Sequence, residues 1–261
     1  MGVIVVTGAA RGMGRACVDG LRDTGDVLLA VDLEAPAIDG AVGVACDIAD
    51  PGAVRALVET VGGHGRFRAL VHAAGISPTM ADPRRVFLVD LVGTQYLLDA
   101  FAPLVTPGAA AVCFASSAAH QIALMAPDPA LDALVSEPLA DGFVDRAAEL
   151  VPDSGLAYAW AKRGVIRAAA RAAVVWGHDG GRVNSVSPGM IDTAMNAQEF
   201  EQQPMMQVML DHTPLARLGR AEELAAVAAF LVSDAASFVS GVDLLADGGM
   251  LEGFRALMAG G

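Results

Sequence analysis

Short apolar runs rich in valine and alanine recur along the chain, and between them lie longer stretches with helical periodicity. The runs are "VIVVT" (3–7), "VLLAVD" (27–32), "VGVAC" (42–46), "ALVHAA" (69–74), "AAVCFAS" (110–116), "RVNSVS" (182–187) and "VDLLA" (242–246). Most are apolar at successive positions, as expected of strands covered on both faces; a strand with one wet face would alternate. Helical patterns occupy 12–24, 51–62, 85–105, 157–177 and 221–232. Strand and helix alternating in this way predict right-handed βαβ units: an α/β chain forming one Rossmann-type, doubly wound parallel sheet of about seven strands, with helices on both faces. The chain shows no repeat, linker or low-complexity tract, so 1–261 reads as a single domain. One region breaks the rhythm. About 120–155 carries four prolines and many carboxylates, and reads as an inserted helical segment with starts near Asp128 and Asp141.

Composition narrows the partners. Hydrophobic residues make up 54% of 261, enough for a large core without disulfides or metal. The formal net charge of −13 disfavours nucleic acid and anionic membrane surfaces, both of which call for basic patches. Cys17, Cys46 and Cys113 sit in apolar strand or helix contexts with no paired framework, so they read as reduced core residues. The five histidines lack metal-ligand spacing, and no metal is expected. No apolar run approaches the roughly 18 residues of a membrane span, and "MGVIVVTG" has no basic region before it. The expectation is a cytoplasmic protein.

The first strand runs directly into "TGAARGMGRA", a glycine turn that opens a helix. Gly8 allows a tight turn, Gly12 lets backbone approach a pyrophosphate, and Gly14 lets helix and strand pack closely. The helix N-terminus offers free N–H groups and a positive dipole to the phosphates. Asp32 ends the second strand, where a carboxylate can accept hydrogen bonds from the adenosine ribose and repel a 2′-phosphate. NAD is therefore expected over NADP, although Arg11 inside the turn could meet a 2′-phosphate. Asp47 ends the third strand and suits either the adenine amine or a helix cap before "ADPGAV". Met13, Leu33 and Ile48 flank these positions and are taken as cofactor-contacting with them.

"LAYAWAKRGV" places Tyr158 four residues before Lys162, on one helix face. A free tyrosine titrates near 10, and a nearby cation can lower that by about 1–3 units, toward the range useful to a general acid/base. The spacing alone is common. Taken with "TGAARGMG" (7–14), "CDI" (46–48), "HAAG" (72–75), "SS" (116–117), "RVNSVSPGMIDT" (182–193) and "LLADGG" (244–249), the chain resembles the short-chain dehydrogenase/reductase family over nearly its whole length.

That resemblance implies roles. Tyr158 is the acid/base, Ser117 polarises the carbonyl (Ser116 being the alternative), and Lys162 holds the nicotinamide ribose and tunes the tyrosine. Ile191 and Thr193 clamp the nicotinamide carboxamide, and Pro188 and Gly189 shape the turn beneath the ring. Ala73, Ala74 and Gly75 leave room for the adenosine side. Asp90 stands in "VDLVG" where the family usually has Asn, the proton-relay position, and adds charge there. His72 replaces an asparagine and reads as a core histidine. The 41 positions from Ser117 to Tyr158, together with "AAVVWG" (172–177), resemble the 3α-hydroxysteroid dehydrogenase/carbonyl reductase branch.

Residues 193–216 correspond to the family's substrate lid. There Met195, Met205, Met206 and Met209 either present an adaptable apolar surface or fill core gaps. No Arg or Lys lies between Thr193 and Pro214, which points to an apolar ketone or secondary alcohol rather than a substrate held by its carboxylate or phosphate. The expected function is an NAD(H)-dependent oxidoreductase interconverting a hydrophobic secondary alcohol and ketone, a 3α-hydroxysteroid among the candidates. An NADPH-linked carbonyl reductase and a silent dinucleotide-binding sensor are the alternatives. A homo-oligomer, dimer or tetramer, built on helices 85–105 and 157–177 is the family's habit.

Overall fold

The computed structural model describes residues 2–194 and 205–260. Its strands are β1 (Gly2–Thr7), β2 (Val27–Asp32), β3 (Val42–Ala45), β4 (Arg66–His72), β5 (Ala110–Phe114), β6 (Arg182–Pro188), β7 (Ile191–Asp192), β8 (Gly219–Arg220) and β9 (Asp243–Ala246). Seven of them form one parallel sheet in the order β3-β2-β1-β4-β5-β6-β9, while β7 and β8 make a separate two-stranded pair. The order reverses between β1 and β4, and this switch point opens a crevice at the strands' carboxyl ends.

The apolar runs of the inner strands are buried on both faces for the reason their pattern implies, while the edge strands β3 and β9 are only partly covered. Val3, Val5, Leu29 and Val31 face one core with helices Pro51–His64, Gly93–Phe101 and Ser154–Gly177. Ile4, Val6, Leu28 and Ala30 face a second core with Gly12–Gly20 and Ala221–Val232. Each such valine, leucine or isoleucine contributes about 1.5–3 kcal/mol by leaving water. Cys17, Cys46 and Cys113 are buried free thiols within these cores.

Helix ends follow local chemistry. Asp50 accepts from Gly52 N–H, and Asp153 accepts from Leu156 N–H, which starts the Ser154–Gly177 helix three residues before the apolar pattern does. Gly164 lets this helix pass close to its neighbour, since a Cβ there would fall 2.5 Å from Leu91 Cδ2.

The helical stretch Pro83–Leu104 contains a π-helical segment, Phe87–Val92, between α-helical turns. Its 22 residues are long and apolar enough to cross a membrane by length and composition, which corrects the expectation that nothing approached such a span. The stretch is mostly buried and packs as a core helix, with Asp90 and Thr94 turned inward to polar partners.

The insertion folds as Ala118–Met125, Pro129–Leu134 and Phe143–Leu150. Asp128 caps the second of these through Ala130 and Leu131 N–H groups. Asp141 does not cap the third; Gly142, at φ 70°, is the residue that enters it.

Candidate active site

The cofactor turn is built from steric exclusion. Gly8 and Gly12 have φ of 71° and 57°, left-handed values that glycine adopts freely. A Cβ on Gly14 would lie 2.1 Å from Gly8 O, and one on Gly8 would lie 2.7 Å from Ala74 N, so the backbone is packed against itself there. A Cβ on Gly12 would meet only Thr193 Cγ2 at 3.8 Å, leaving its face open toward the crevice. No side chain caps the helix that begins at Gly12, so its first N–H groups remain available to an anion.

At the end of β2 the Asp32 carboxylate reaches back to the turn. Its Oδ2 accepts from Ala10 N–H at 2.9 Å and its Oδ1 from Leu33 N–H at 2.8 Å. Asp47 is not the cap of the following helix, a role filled by Asp50. Asp47 accepts from Ala49 N–H at 2.9 Å and lies 3.5 Å from Arg85 Nη2.

A buried chain of hydrogen bonds ties this end to the chemistry end. Thr94 hydroxyl donates to Asp90 O (2.7 Å), so it accepts from His72 Nε2 (2.8 Å); His72 Nδ1 then accepts from Thr7 hydroxyl (2.8 Å), whose oxygen accepts from Ala74 N–H at 3.3 Å. Every link is satisfied only if His72 is neutral and carries its proton on Nε2. Burial, with a smaller contribution from Lys162, pushes its pKa down to about 3. His72 is thus a satisfied core histidine.

Lys162 is 6% exposed, donates to Phe114 O at 3.3 Å, and holds its Nζ 5.6 Å from the Tyr158 ring centroid. Asp90 Oδ1 lies 3.8 Å from Lys162 Nζ and accepts from Ile76 N–H at 2.9 Å.

One cleft is lined by Gly8, Arg11, Gly12, Met13, Gly14, Asp32, Leu33, Asp47, Ile48, Ala73, Ala74, Gly75, Tyr158, Lys162 and Thr193. The fold therefore gathers segments spread from the first to the seventh strand into one wall. Asp90, Ser117, Pro188, Gly189 and Ile191 are not among its lining residues. Ser117 is buried, and its N–H donates to Pro188 O at 2.9 Å. Gly189 donates to Ala246 O, and the Ile191 side chain joins the second core. Ser116 Oγ accepts from Ala118 N–H at 3.2 Å.

Met80, Arg85, Val89 and Phe114 also line the cleft, and sequence reasoning missed them, because only tertiary packing brings them there. Met206 packs with Met190 and Met250 in a small core of its own, the gap-filling alternative for that methionine. Met195 and the rest of 195–204 in the expected lid lie outside the described residues.

A crevice at a sheet switch point, a glycine turn opening a helix and a Tyr–Lys pair in the same cleft define a Rossmann-type oxidoreductase. The family model described as enoyl-(acyl carrier protein) reductase matches residues 8–128 and 144–251, and the chain belongs to the short-chain dehydrogenase/reductase family. The gap between the two matched stretches, 129–143, falls within the insertion.

The 3-alpha-hydroxysteroid dehydrogenase/carbonyl reductase of Comamonas testosteroni is 30% identical over 96% of each chain. The crystal structure of the 3-alpha-hydroxysteroid dehydrogenase from Pseudomonas sp. B-0831, complexed with NADH, superposes with a TM-score of 0.82 at 31% identity, covering 97% of this chain and 98% of that one. An uncharacterized short-chain type dehydrogenase/reductase from Sinorhizobium fredii is 34% identical over 95% of this chain, which spans 43% of that longer protein.

Proposed function

We propose that the protein is an NAD(H)-dependent dehydrogenase that interconverts a hydrophobic secondary alcohol and its ketone, with 3α-hydroxysteroids the first class to test. The observation that carries this reading is that Tyr158 and Lys162 line the same cleft as the glycine turn and Asp32. The residues present fit a dinucleotide. The turn is closed to side chains at Gly8 and Gly14, the helix start is uncapped, and the Asp32 carboxylate beside the turn supports a ribose contact. When bound, the nicotinamide supplies the hydride acceptor in oxidation and the donor in reduction.

Tyr158 takes the hydroxyl proton during oxidation and returns it during reduction. Lys162 favours the phenolate by its charge and holds the ribose. Ser117 supports the substrate oxygen, and Ile191 and Thr193 orient the carboxamide from the backbone that Pro188 and Gly189 shape. Asp47 and Ile48 frame the adenine. Ile76, Met80 and Val89 give the cleft an apolar side, and the relatives named for hydroxysteroids favour a bulky apolar ligand. We expect the protein to act as a homo-oligomer.

A second reading, NADPH dependence, draws on Arg11, which is exposed at the cleft and could meet a 2′-phosphate. Asp32 weighs against it, because its charge acts at the discriminating hydroxyl itself. Titration of NADH and NADPH, followed by assay of 3-keto and 3α-hydroxysteroids with the tighter cofactor, tests both. Preferential NADH binding with steroid turnover is expected. NADPH preference would replace the cofactor assignment, and turnover confined to polyols or charged substrates would overturn the hydrophobic-substrate reading.

A further inference from the structure

We propose that Asp90 is the internal counter-ion of Lys162, and that its negative charge sets the pH at which Tyr158 gives up its proton. The proposal rests on Tyr158 being the acid/base, and it makes Asp90 a positioning residue that acts through the lysine rather than one that touches substrate.

Both side chains are almost fully buried, Asp90 at 1% and Lys162 at 6% exposure, with Oδ1 3.8 Å from Nζ. Opposite charges at that separation interact several-fold more strongly inside a protein than in water. Gly75 makes the approach possible, since a Cβ there would stand 2.8 Å from Asp90 Oδ1 and 3.1 Å from Lys162 Nζ. Among the described residues Asp90 Oδ2 has no hydrogen-bond partner. The charge of an ionised carboxyl is answered on Oδ1, by Lys162 and the Ile76 N–H.

The other ionisable groups on the surrounding elements leave this pair to itself. On β4, His72 is neutral; on β5, burial pushes the Cys113 thiol up to about 12, Lys162 acting in the opposite sense. Arg84 and Arg85 of Pro83–Val86 turn outward to Asp145 and Asp47. Arg146 and Glu149 of Phe143–Leu150, and Asp99 of Gly93–Phe101, are exposed. Arg163 and Arg167, on the helix that carries Lys162, pair with Asp132. Burial holds the Asp90 pKa above the usual carboxylate range, and the Lys162 charge and the Ile76 N–H only partly offset that rise.

An anion beside Lys162 cancels part of the field that would stabilise the Tyr158 phenolate. Asn has the same shape, can still accept from Ile76 N–H and carries no charge, so Asp90→Asn should make Tyr158 easier to ionise.

The chain has two tyrosines, Tyr96 and Tyr158, so Tyr96→Phe leaves a single phenol to follow by phenolate absorbance against pH. Adding D90N to that protein is expected to lower the Tyr158 midpoint by about one unit. The acid limb of alcohol oxidation should move the same way, with about tenfold more activity at a fixed pH below the midpoint. An unmoved midpoint, or one that rises, overturns the proposal.

Asp90→Ser provides a second neutral variant if D90N does not fold. The phenolate readout needs neither substrate nor turnover. Failure to find a substrate would therefore count against the proposed function and leave this test intact, and turnover with an unmoved midpoint would overturn the role of Asp90 alone.

Discussion

Gly14 has less room than either of the other glycines in the cofactor turn, because the first turn of its helix lies directly on the Gly8 carbonyl. A methyl group at 2.1 Å cannot be accommodated by rotating a flexible neighbour, since the obstacle is backbone. Gly14→Ala is expected to cost about 3 kcal/mol of stability or more and to abolish NADH binding, as read by urea denaturation and fluorescence titration. Asp32 acts by charge instead of shape. Asp32→Ala is expected to weaken NADH about tenfold while leaving NADPH unchanged or tighter, measured by the same titration. His72 carries a pH dependence. Its folded pKa, about 3, lies below the unfolded value near 6.5, so the unfolded chain binds the extra proton. Stability should then rise with pH between about 3 and 6.5 and level off above. His72→Asn should flatten that limb in denaturation curves taken at pH 5 and pH 7.

The Ser154–Gly177 helix does two jobs at the level of elements. It carries Tyr158 and Lys162 on one side, and on another Arg163 and Arg167 grip Asp132 of the insertion helix Pro129–Leu134. Arg163 Nε lies 2.9 Å from Asp132 Oδ1. Burial opposes ionisation of Asp132, but the two arginines outweigh it and hold the carboxyl below its usual range. Its contribution is therefore fully present above about pH 4 and lost as pH falls below that. The groups are partly exposed, so Asp132→Ala is expected to cost only about 1 kcal/mol. The more telling readout is proteolysis of 126–150 at neutral pH, which should accelerate as the insertion loosens from the helix.

At the scale of the whole molecule, the reversal of strand order between β1 and β4 determines where everything meets. Thr7 and His72 pair at the ends of those strands, and the glycine turn and the "HAAG" loop leave from them side by side. A ligand held there bridges segments far apart in the chain, so binding should stabilise the fold as a unit. NADH at a hundred times its dissociation constant is expected to add about 2.7 kcal/mol, or roughly 5–10 °C in Tm. NADPH at the same concentration should give a clearly smaller shift in thermal denaturation.

The seven-strand parallel sheet, the glycine turn, Asp32 and the Tyr158–Lys162 spacing were legible in the chain itself. Each depends on a local period or a short motif: apolar runs covered on both faces, glycines where Cβ would collide, two side chains one helical turn apart. Other features rest on contacts between residues distant in sequence. Nothing local says that Arg85 and Met80 reach the cleft. The π-helical segment that turns Asp90 toward Lys162 is another such case, because residues 90 and 162 meet only after β4, β5 and two helices have packed. Sequence determined which chemistry the chain carries. Tertiary structure decided which charges face one another, because burial and distance, not spacing along the chain, set how strongly they interact.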